Sequence, residues 1–114
     1  MPLLKVQTNR PLSAEQRPVL LKTASATVAE ILGKPERYVM VSLECNPDMM
    51  FAGTAAPAAY LELKSIGLPA DRTQDLSARL CGLVEDSLDI PRERVYIEFA
   101  DATRHLWGWN GDRK

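Results

Sequence analysis

Residues 32–43 read LGKPERYVMVSL, and residues 88–99 read LDIPRERVYIEF. The two stretches share their leucine, their proline and an alternating apolar run, at a constant offset of 56 residues (32 to 88). Alternation of apolar and polar residues is the period of a half-buried β-strand. The repeat therefore predicts that the chain contains two copies of one structural unit.

The sequence before each copy predicts a strand followed by a helix. Alternating segments occupy residues 3–8 and residues 59–65. The first helix is predicted to begin near Ser13, whose hydroxyl can accept a bond from a free amide while Gln16 reaches back, and to end at Gly33. Each half of the chain is thus predicted to be strand, helix, strand.

Both predicted helices carry one apolar stripe, which must be buried. The stripe residues are Leu20, Ala24, Val28, Ile31 and Leu32 in the first helix and Leu76, Leu80, Leu83, Val84 and Leu88 in the second. Right-handed βαβ connections place both helices on one side of a four-stranded sheet that is parallel within each half. The predicted fold is an α+β two-layer sandwich of two βαβ repeats, with residues 46–57 as the loop between the halves.

The other face of the predicted sheet is mixed in character. Charged, polar and large apolar side chains share it: Lys5, Gln7, Tyr38, Met40, Ser42, Glu44, Tyr60, Glu62, Lys64, Arg94, Tyr96 and Glu98. Trp107 and Trp109 follow in a polar terminal segment, where a monomer would cover them poorly. We expect this face to be wet or to line an oligomer, and the tryptophans to lie at an interface or in a pocket.

Composition narrows the class of protein. The chain has 114 residues, of which 46% are apolar and 25% charged, as is usual for one compact domain, so a single domain over residues 1–114 is expected. The net charge is −1 and the basic residues are dispersed, which argues against nucleic acid as a partner. Cys45 and Cys81 stand far apart and His105 is the single histidine, so we expect reduced cysteines and no metal or cofactor.

The start of the chain bears on its location in the cell. The first residues lack the basic and apolar regions of a secretory signal, and no apolar run approaches membrane-spanning length. We therefore expect a cytoplasmic protein without a membrane partner, for which leaderless secretion stays open.

Pro2 is the residue with the most distinctive chemistry. Methionine is generally removed when proline follows it, which would leave Pro2 with a secondary amine at the chain terminus. Terminal amines titrate near ~8 in model peptides, and desolvation lowers that value because it disfavours the ammonium form, so the amine would be a base near neutral pH. A Met-Pro start is also common without any chemistry, and both readings are open at this point.

Each further candidate residue has a structural explanation beside a functional one. Lys34 lies just beyond the first helix, where a cation complements the helix dipole or binds a substrate carboxylate. Tyr38, Tyr96 and the two tail tryptophans could line an aromatic pocket or simply pack. Residues 64–67 end a strand and could offer a backbone amide to a ligand. Glu98 is a carboxylate on the open side of its strand, where most such groups are solvated.

Several short motifs, taken in order, resemble those of one family. They are Pro2 with Thr8-Asn9, Gly33-Lys34-Pro35 with Tyr38, Leu63 to Gly67, Leu80-Cys81-Gly82-Leu83, Arg94-Val95-Tyr96-Ile97, Asp101 and Gly108-Trp109-Asn110. From Pro2 to about Asn110 the chain resembles the macrophage migration inhibitory factor family of the tautomerase superfamily.

The resemblance implies a homotrimer of the tautomerase fold, with three sites between subunits and no cofactor. Pro2 matches the catalytic proline, Lys34 the lysine that meets the substrate carboxylate, and Ile66 the residue whose backbone amide contacts it. The positions expected to line the pocket are Leu3, Tyr38, Lys64, Ser65, Tyr96, Glu98, Trp107 and Trp109. The terminal segment is expected to pair with a neighbouring subunit.

Two functions from different classes are compatible with that resemblance. The first is keto–enol tautomerisation of aromatic 2-oxo acids such as phenylpyruvate. The second is a non-enzymatic trimer that binds a partner in a cytokine-like role, with Pro2 kept only as a strand start.

Four of the pocket positions depart from the mammalian members of the family. Glu98 stands where those proteins have asparagine, Lys64 where they have histidine, Leu3 where they have methionine, and Trp107 where they have a smaller apolar residue. The CxxC motif of the mammalian proteins falls on residues 58–61, which contain no cysteine, so no thiol oxidoreductase activity is expected.

Overall fold

The computed structural model describes residues 1–113. In that range the main elements are β1 (Pro2–Thr8), α1 (Gln16–Leu32), β2 (Met40–Cys45), β3 (Ala59–Ile66), α2 (Thr73–Leu88) and β4 (Val95–Ala102), followed by β5 (Gly108–Trp109) and β6 (Asp112–Arg113). Short 3-10 turns at Glu36–Tyr38 and Arg92–Arg94 precede β2 and β4. These turns repeat at the offset seen in the sequence (36 to 92), which confirms the two-copy organisation.

The main sheet has the order β2-β1-β3-β4 within the described range. β2 runs parallel to β1, β4 runs parallel to β3, and the central pair β1 and β3 is antiparallel. Each half is therefore a parallel strand pair connected through a helix, and the halves meet at the antiparallel pair. The predicted α+β sandwich is confirmed.

One face of the sheet packs on both helices and forms the core. Leu4 and Val6 of β1 and Leu61 and Leu63 of β3 are buried there. Their helix partners are Leu20, Ala24, Val28, Ile31, Leu76, Leu80, Cys81, Leu83, Val84 and Leu88. Burial of one such side chain stabilises the fold by roughly 1.5–3 kcal/mol. The alternation of apolar residues thus decides which face of the sheet receives the helices.

The predicted capping box is present at the start of α1. The Oγ of Ser13 accepts a bond from the amide of Gln16 at 3.2 Å, and Oε1 of Gln16 accepts one from the amide of Ser13 at 2.9 Å. These bonds close a turn in front of the helix, which begins at Gln16 rather than at Ser13. The capping residues were therefore predicted correctly, and the first helical residue lies three positions later.

Both helices end on a residue with left-handed backbone. Gly33 has a φ of +62°, and the amides of Gly33 and Lys34 bond to the carbonyls of Glu30 and Ala29. Asp89, which is the equivalent residue of the second repeat, closes α2 with a φ of +54°. The left-handed residue turns the chain back toward the sheet, as in a Schellman motif for α1.

Residues 46–57 form the predicted loop, and two side chains hold it. Asn9 accepts the amide hydrogen of Ala58 at 2.8 Å and donates to the carbonyls of Met49, Ala55 and Ala56. Arg94 donates to the carbonyls of Phe51, Thr54, Ala56 and Pro57.

The prediction that Arg94 and Tyr38 lie on the open sheet face is wrong. Both lie in the 3-10 turns, because the strand period starts only after each turn.

The terminal segment forms a hairpin of its own, which the sequence analysis does not predict. Trp109 pairs with Asp112 across Asn110 and Gly111, whose φ angles are +55° and +73°. An Asn-Gly pair is the preferred sequence of a two-residue hairpin turn, because both positions need positive φ. Asn110-Gly111 is thus the sequence signal for this hairpin. The pairing of the terminal segment with a neighbouring subunit stays a prediction.

Two further expectations concern membranes and thiols. No helix within residues 1–113 is long and apolar enough to cross a membrane. Cys45 lies half-buried at the end of β2 and Cys81 lies buried on α2, both as free thiols that pack in or against the core.

Candidate active site

Pro2 lies at one end of the central strand pair, opposite Ser65 of β3. Both residues are fully buried, and Met1 in front of them is only 8% exposed. Pairing with β3 and near-complete burial hold the proline ring in one place. The nitrogen of Pro2 therefore has a fixed position at the end of the sheet.

Lys34 and Tyr38 lie in the short connection between α1 and β2. This connection is at the same end of the sheet as Pro2, because Met40 of β2 pairs with Leu3 of β1. Lys34 is half-buried, and its ammonium group forms no ion pair with any carboxylate of residues 1–113. A cation without a carboxylate partner at this end of the sheet is available to an anionic ligand.

The terminal hairpin is docked on the same connection. The ring of Trp109 meets that of Tyr38 edge-on, with centroids 5.7 Å apart and planes at 83°. The guanidinium of Arg37 lies 4.7 Å from the centre of the Tyr38 ring. The Tyr38 ring is thus positioned by contacts with one aromatic ring and one cation.

Ser65 and Ile66 end β3 next to the start of β1. The hydroxyl of Ser65 donates to the carbonyl of Ile66 at 3.2 Å, so it is used inside the chain. Beyond Ile66, the carboxylate of Asp101 accepts the amides of Gly67 and Leu68 at 3.1 Å each. These bonds fix the backbone next to Ile66, whose amide is predicted to contact the ligand.

Three more predicted pocket residues lie toward this end of the molecule. Leu3 and Lys64 are register partners on the open face, with Leu3 half-buried and Lys64 exposed. Trp107 is half-buried in the segment that leads into the terminal hairpin. Lys64 thus places a positive charge on the open face beside the first residues of β1.

Tyr96 and Glu98 are not brought together with Pro2. Tyr96 is in register with Tyr60, whereas Pro2 pairs with Ser65, five residues further along β3. At ~3.3 Å per residue, the two positions lie about 17 Å apart along the strands. Tyr96 and Glu98 are both exposed, and Glu98, which is in register with Glu62, lies three residues from the Pro2–Ser65 pair, or about 10 Å along the strands. One chain therefore holds two separate groups of predicted site residues.

The open face of the sheet carries a hydrogen-bonded charge cluster. The ammonium of Lys5 lies 3.3 Å from the carboxylate of Glu62, and the hydroxyl of Tyr60 donates to the same carboxylate at 3.2 Å. The bond from Lys5 lowers the pKa of Glu62, although partial burial opposes it. Burial, followed by the negative charges of Glu62 and Glu98, raises the pKa of Tyr60. The neutral phenol and the ionised carboxylate are the forms that this face favours.

Two residues outside the predicted pocket support Tyr96. Phe51 packs edge-on against the Tyr96 ring, with centroids 4.7 Å apart. Arg94 holds the backbone on which Phe51 sits. No periodicity marks a residue in a loop, so the sequence signal is limited to the single aromatic residue within residues 46–57. Arg94 lies 43 residues further along the chain (51 to 94).

A groove between the helices carries none of the predicted site residues. It has a volume of about 270 Å³ and is lined by Thr23, Thr27, Ala78, Arg79, Gly82, Leu83, Asp86 and Ser87. The ion pair of Arg79 with Glu30, at 3.0 Å, bridges the two helices beside it. The residues with distinctive chemistry lie at the sheet ends instead.

A sheet of two βαβ repeats, with a buried proline at the start of its first strand, is the architecture of the tautomerase superfamily. Within that class, the chain belongs to the macrophage migration inhibitory factor family. The family model described as "Macrophage migration inhibitory factor (MIF)" matches residues 1–113.

Relatives agree with that assignment over nearly the whole chain. A macrophage migration inhibitory factor homolog of Brugia malayi is 38% identical over 112 residues, which cover 97% of this chain and 96% of the relative. The macrophage migration inhibitory factor of Rattus norvegicus is 37% identical over 112 residues, with the same coverage.

Solved structures agree as well. A macrophage migration inhibitory factor homologue from Prochlorococcus marinus is 46% identical and superimposes with a TM-score of 0.90, over 97% of each chain. The structure from Trichinella spiralis is 35% identical and has a TM-score of 0.89, over 98% of this chain and 99% of that one.

Proposed function

We propose that the protein is a keto–enol tautomerase of aromatic 2-oxo acids such as phenylpyruvate, with the amine of Pro2 as catalytic base. The observation that carries this proposal is the burial of Pro2 at the end of the sheet where Lys34 and Tyr38 also lie. Membership of the macrophage migration inhibitory factor family supports isomerase chemistry in general.

Chemistry at Pro2 requires the removal of Met1. While Met1 is attached, the Pro2 nitrogen is a tertiary amide without a basic lone pair. Met1 is itself buried, so its loss also opens space beside the nitrogen. The free amine then takes a proton from the carbon next to the ketone, the C–H electron pair forms the enol double bond, and the proton is delivered to oxygen. Protons and electrons balance within the substrate, so the reaction needs no cofactor.

The other residues bind and orient the substrate in this proposal. Lys34 and the backbone amide of Ile66 hold the carboxylate, and the rings of Tyr38 and Trp109 line the aromatic side. Trp107, Leu3, Lys64 and Ser65 complete the pocket wall on the same chain. A low-dielectric site strengthens the bond from Lys34, because charges interact more strongly away from water.

Tyr96 and Glu98 enter the site from a neighbouring subunit. In one chain Tyr96 lies about 17 Å and Glu98 about 10 Å from Pro2 along the strands, and β3 separates their strand from β1, so we place them in the site of a neighbouring subunit. A homotrimer with sites between subunits brings the two groups together. Tyr96 then closes the aromatic side, and Glu98 meets the polar edge of the substrate.

Phenylpyruvate tautomerisation, followed by ultraviolet absorbance, tests the proposal. The protein is first checked by intact mass, so that the state of Met1 is known. Pro2→Gly replaces a secondary amine on a rigid ring with a primary amine on a flexible residue, so it should lower kcat by about tenfold or more with little change in KM. Pro11→Gly, in an exposed segment without regular structure, is the control and should behave as wild type.

Two results would overturn the assignment of Pro2 as base. One is full turnover by processed Pro2→Gly, and the other is full activity in protein that retains Met1. Glu98 would then be the next candidate base. A processed wild-type protein without any tautomerase activity would favour the non-enzymatic trimer instead.

A further inference from the structure

One arginine organises the loop between the two halves. Arg94 donates through Nε to the carbonyl of Pro57 at 2.9 Å and through Nη2 to three further loop carbonyls at 3.0–3.4 Å. Within residues 1–113 it forms no ion pair with a carboxylate. Its planar guanidinium serves several carbonyls at once, which the single ammonium of a lysine cannot match.

The loop presents Phe51 at the base of a tight turn. Phe51 and Thr54 exchange two backbone hydrogen bonds, at 2.9 and 3.0 Å, across Ala52 and Gly53. Both intervening residues have positive φ, +53° and +76°. The guanidinium carbon of Arg94 also lies 5.3 Å from the centre of the Phe51 ring. The same arginine thus holds both the backbone and the ring of Phe51.

The Phe51 ring in turn contacts Tyr96. The two centroids are 4.7 Å apart and the planes meet at 60°, an edge-on geometry that stabilises aromatic pairs. Tyr96 is 65% exposed in the chain, so this contact restricts a ring that solvent would otherwise leave free to rotate. Arg94, Phe51 and Tyr96 form a continuous sequence of contacts.

We propose that Phe51 is a specificity-determining residue of the tautomerase site and that Arg94 is a positioning residue that acts through it. The inference rests on the proposed function, in which Tyr96 forms the aromatic wall of the neighbouring subunit's site. A fixed Tyr96 ring favours a flat aromatic substrate, whereas an aliphatic 2-oxo acid gains little from it. Phe51 and Arg94 therefore affect substrate preference and leave the proton transfer at Pro2 unchanged.

Steady-state kinetics with two substrates measure that preference. Phe51→Ala, Phe51→Leu and Arg94→Gln are compared with wild type on phenylpyruvate and on 2-oxohexanoate. Loss of the contact between the Phe51 and Tyr96 rings should raise KM for phenylpyruvate by about three- to tenfold, with kcat within about twofold of the wild-type value. KM for 2-oxohexanoate should stay within about twofold of the wild-type value. Arg94→Lys should restore the wild-type KM for phenylpyruvate only in part, because a lysine lacks the planar fork of donors that an arginine has.

A matched control lies in the same 3-10 turn. Arg92 is exposed, and its guanidinium pairs with Glu85 at 3.5 Å rather than with the loop. Arg92→Gln should therefore leave both KM values at the wild-type level. If Arg94→Gln does not fold, as judged by circular dichroism, the two Phe51 variants decide the question.

The ring contact is also measured without turnover. The ring proton shifts of Tyr96 in the NMR spectrum should move in Phe51→Ala and in Arg94→Gln, because the ring current of Phe51 is lost or displaced, and should not move in Arg92→Gln. Unmoved Tyr96 shifts would overturn the positioning role even if the protein proves to be a tautomerase. Equal changes of KM on both substrates would overturn the specificity role. Wild type that shows no Pro2-dependent activity would overturn the proposed function instead.

Discussion

At the scale of single residues, the proposed reaction uses Lys34 for substrate binding and Pro2 for proton transfer. Lys34 has no carboxylate partner among residues 1–113, so a bound substrate carboxylate gains an ion pair without breaking one. That pair is present both in the bound substrate and in the transition state. Its contribution is therefore to binding rather than to the chemical step.

Lys34→Ala should raise KM for phenylpyruvate by the equivalent of ~1–3 kcal/mol, with kcat nearly unchanged, because one charge-assisted hydrogen bond is lost. Steady-state kinetics at fixed salt measure the effect. Lys22→Ala, on the exposed side of α1, is the control. A drop in kcat with an unchanged KM would contradict the binding role.

The pKa of Glu62 tests whether the bond from Lys5 on the open sheet face is present in solution. Its pKa is lowered chiefly by the hydrogen bond from Lys5, so Lys5→Met should raise that pKa toward the ordinary value of a glutamate. A lowered pKa stabilises the fold above the unfolded-state value and loses that stabilisation as pH falls through the folded-state value. The variant should accordingly lose less stability than wild type when the solution is acidified.

The carboxyl ¹³C shift of Glu62, followed against pH, measures this pKa directly. Lys22→Met, which removes an equal charge at a distant site, should leave the titration unchanged. An identical curve for Lys5→Met and wild type would show that the ion pair, at 3.3 Å in the structure, has no effect in solution.

At the scale of elements, the two helices end at equivalent positions of the repeat, which are occupied by different residues. Gly33 and Asp89 are equivalent positions of the repeat and both have left-handed backbone. A glycine adopts this conformation without strain, whereas a residue with a Cβ is strained there, although aspartate tolerates it better than most. An added Cβ at Gly33 would meet nothing within 4 Å, so a substitution there changes backbone preference alone.

Gly33→Ala should lower the free energy of unfolding by about 1 kcal/mol, and Asp89→Gly should raise it by up to about 1 kcal/mol. The opposite signs arise because one change adds strain at a left-handed residue and the other removes it. Urea unfolding, followed by circular dichroism at a fixed protein concentration, measures both. The same sign for the two variants would contradict this explanation.

At the scale of the whole molecule, the chain exposes several large apolar side chains. Met40 is 66% exposed, Leu106 78% and Trp109 49%, at positions on the open sheet face and in the terminal segment. Scattered apolar residues are normal on a surface, but these accompany two groups of predicted site residues that lie apart in one chain. Association of subunits addresses both problems at once.

Sedimentation equilibrium should therefore give three times the 12.7 kDa mass of the chain. Leu106→Glu should shift the protein toward monomer and reduce tautomerase activity in parallel, because a charge would be buried at the interface without a partner. Ser25→Glu, a change on α1, is the control. A monomer in wild type with Trp109 accessible to solvent would contradict the trimer.

Mixed trimers test whether sites lie between subunits. Pro2→Gly and Tyr96→Ala chains are unfolded together, refolded together and assayed for phenylpyruvate tautomerisation. Some interfaces would then combine an intact Pro2 with an intact Tyr96, so activity should exceed the mean of the two variants refolded separately. Activity equal to that mean would mean that both residues act within one chain.

Much of the fold could be read from local patterns. The alternation of apolar residues and the capping box at Ser13 and Gln16 each depend on neighbours within a few positions, and the 56-residue repeat shows the same local pattern twice. Such patterns predict strands, helices and the buried face because backbone geometry has fixed periods. Pro2 as a distinctive amine and Lys34 beyond the helix end are likewise visible in the sequence, and their proximity at one sheet end follows from the β1–β2 pairing.

What the sequence could not predict depends on contacts between residues far apart in the chain. The register of β3 on β1 and β4 separates Tyr96 from Pro2, and it is determined by packing of the whole sheet on the helices. The bonds from Arg94 to the loop and the contact of Phe51 with Tyr96 have no period, since a loop backbone is fixed by whichever side chains reach its carbonyls. Local patterns therefore determine the elements and their buried faces, whereas the arrangement of side chains at the sheet ends exists only once the elements have packed.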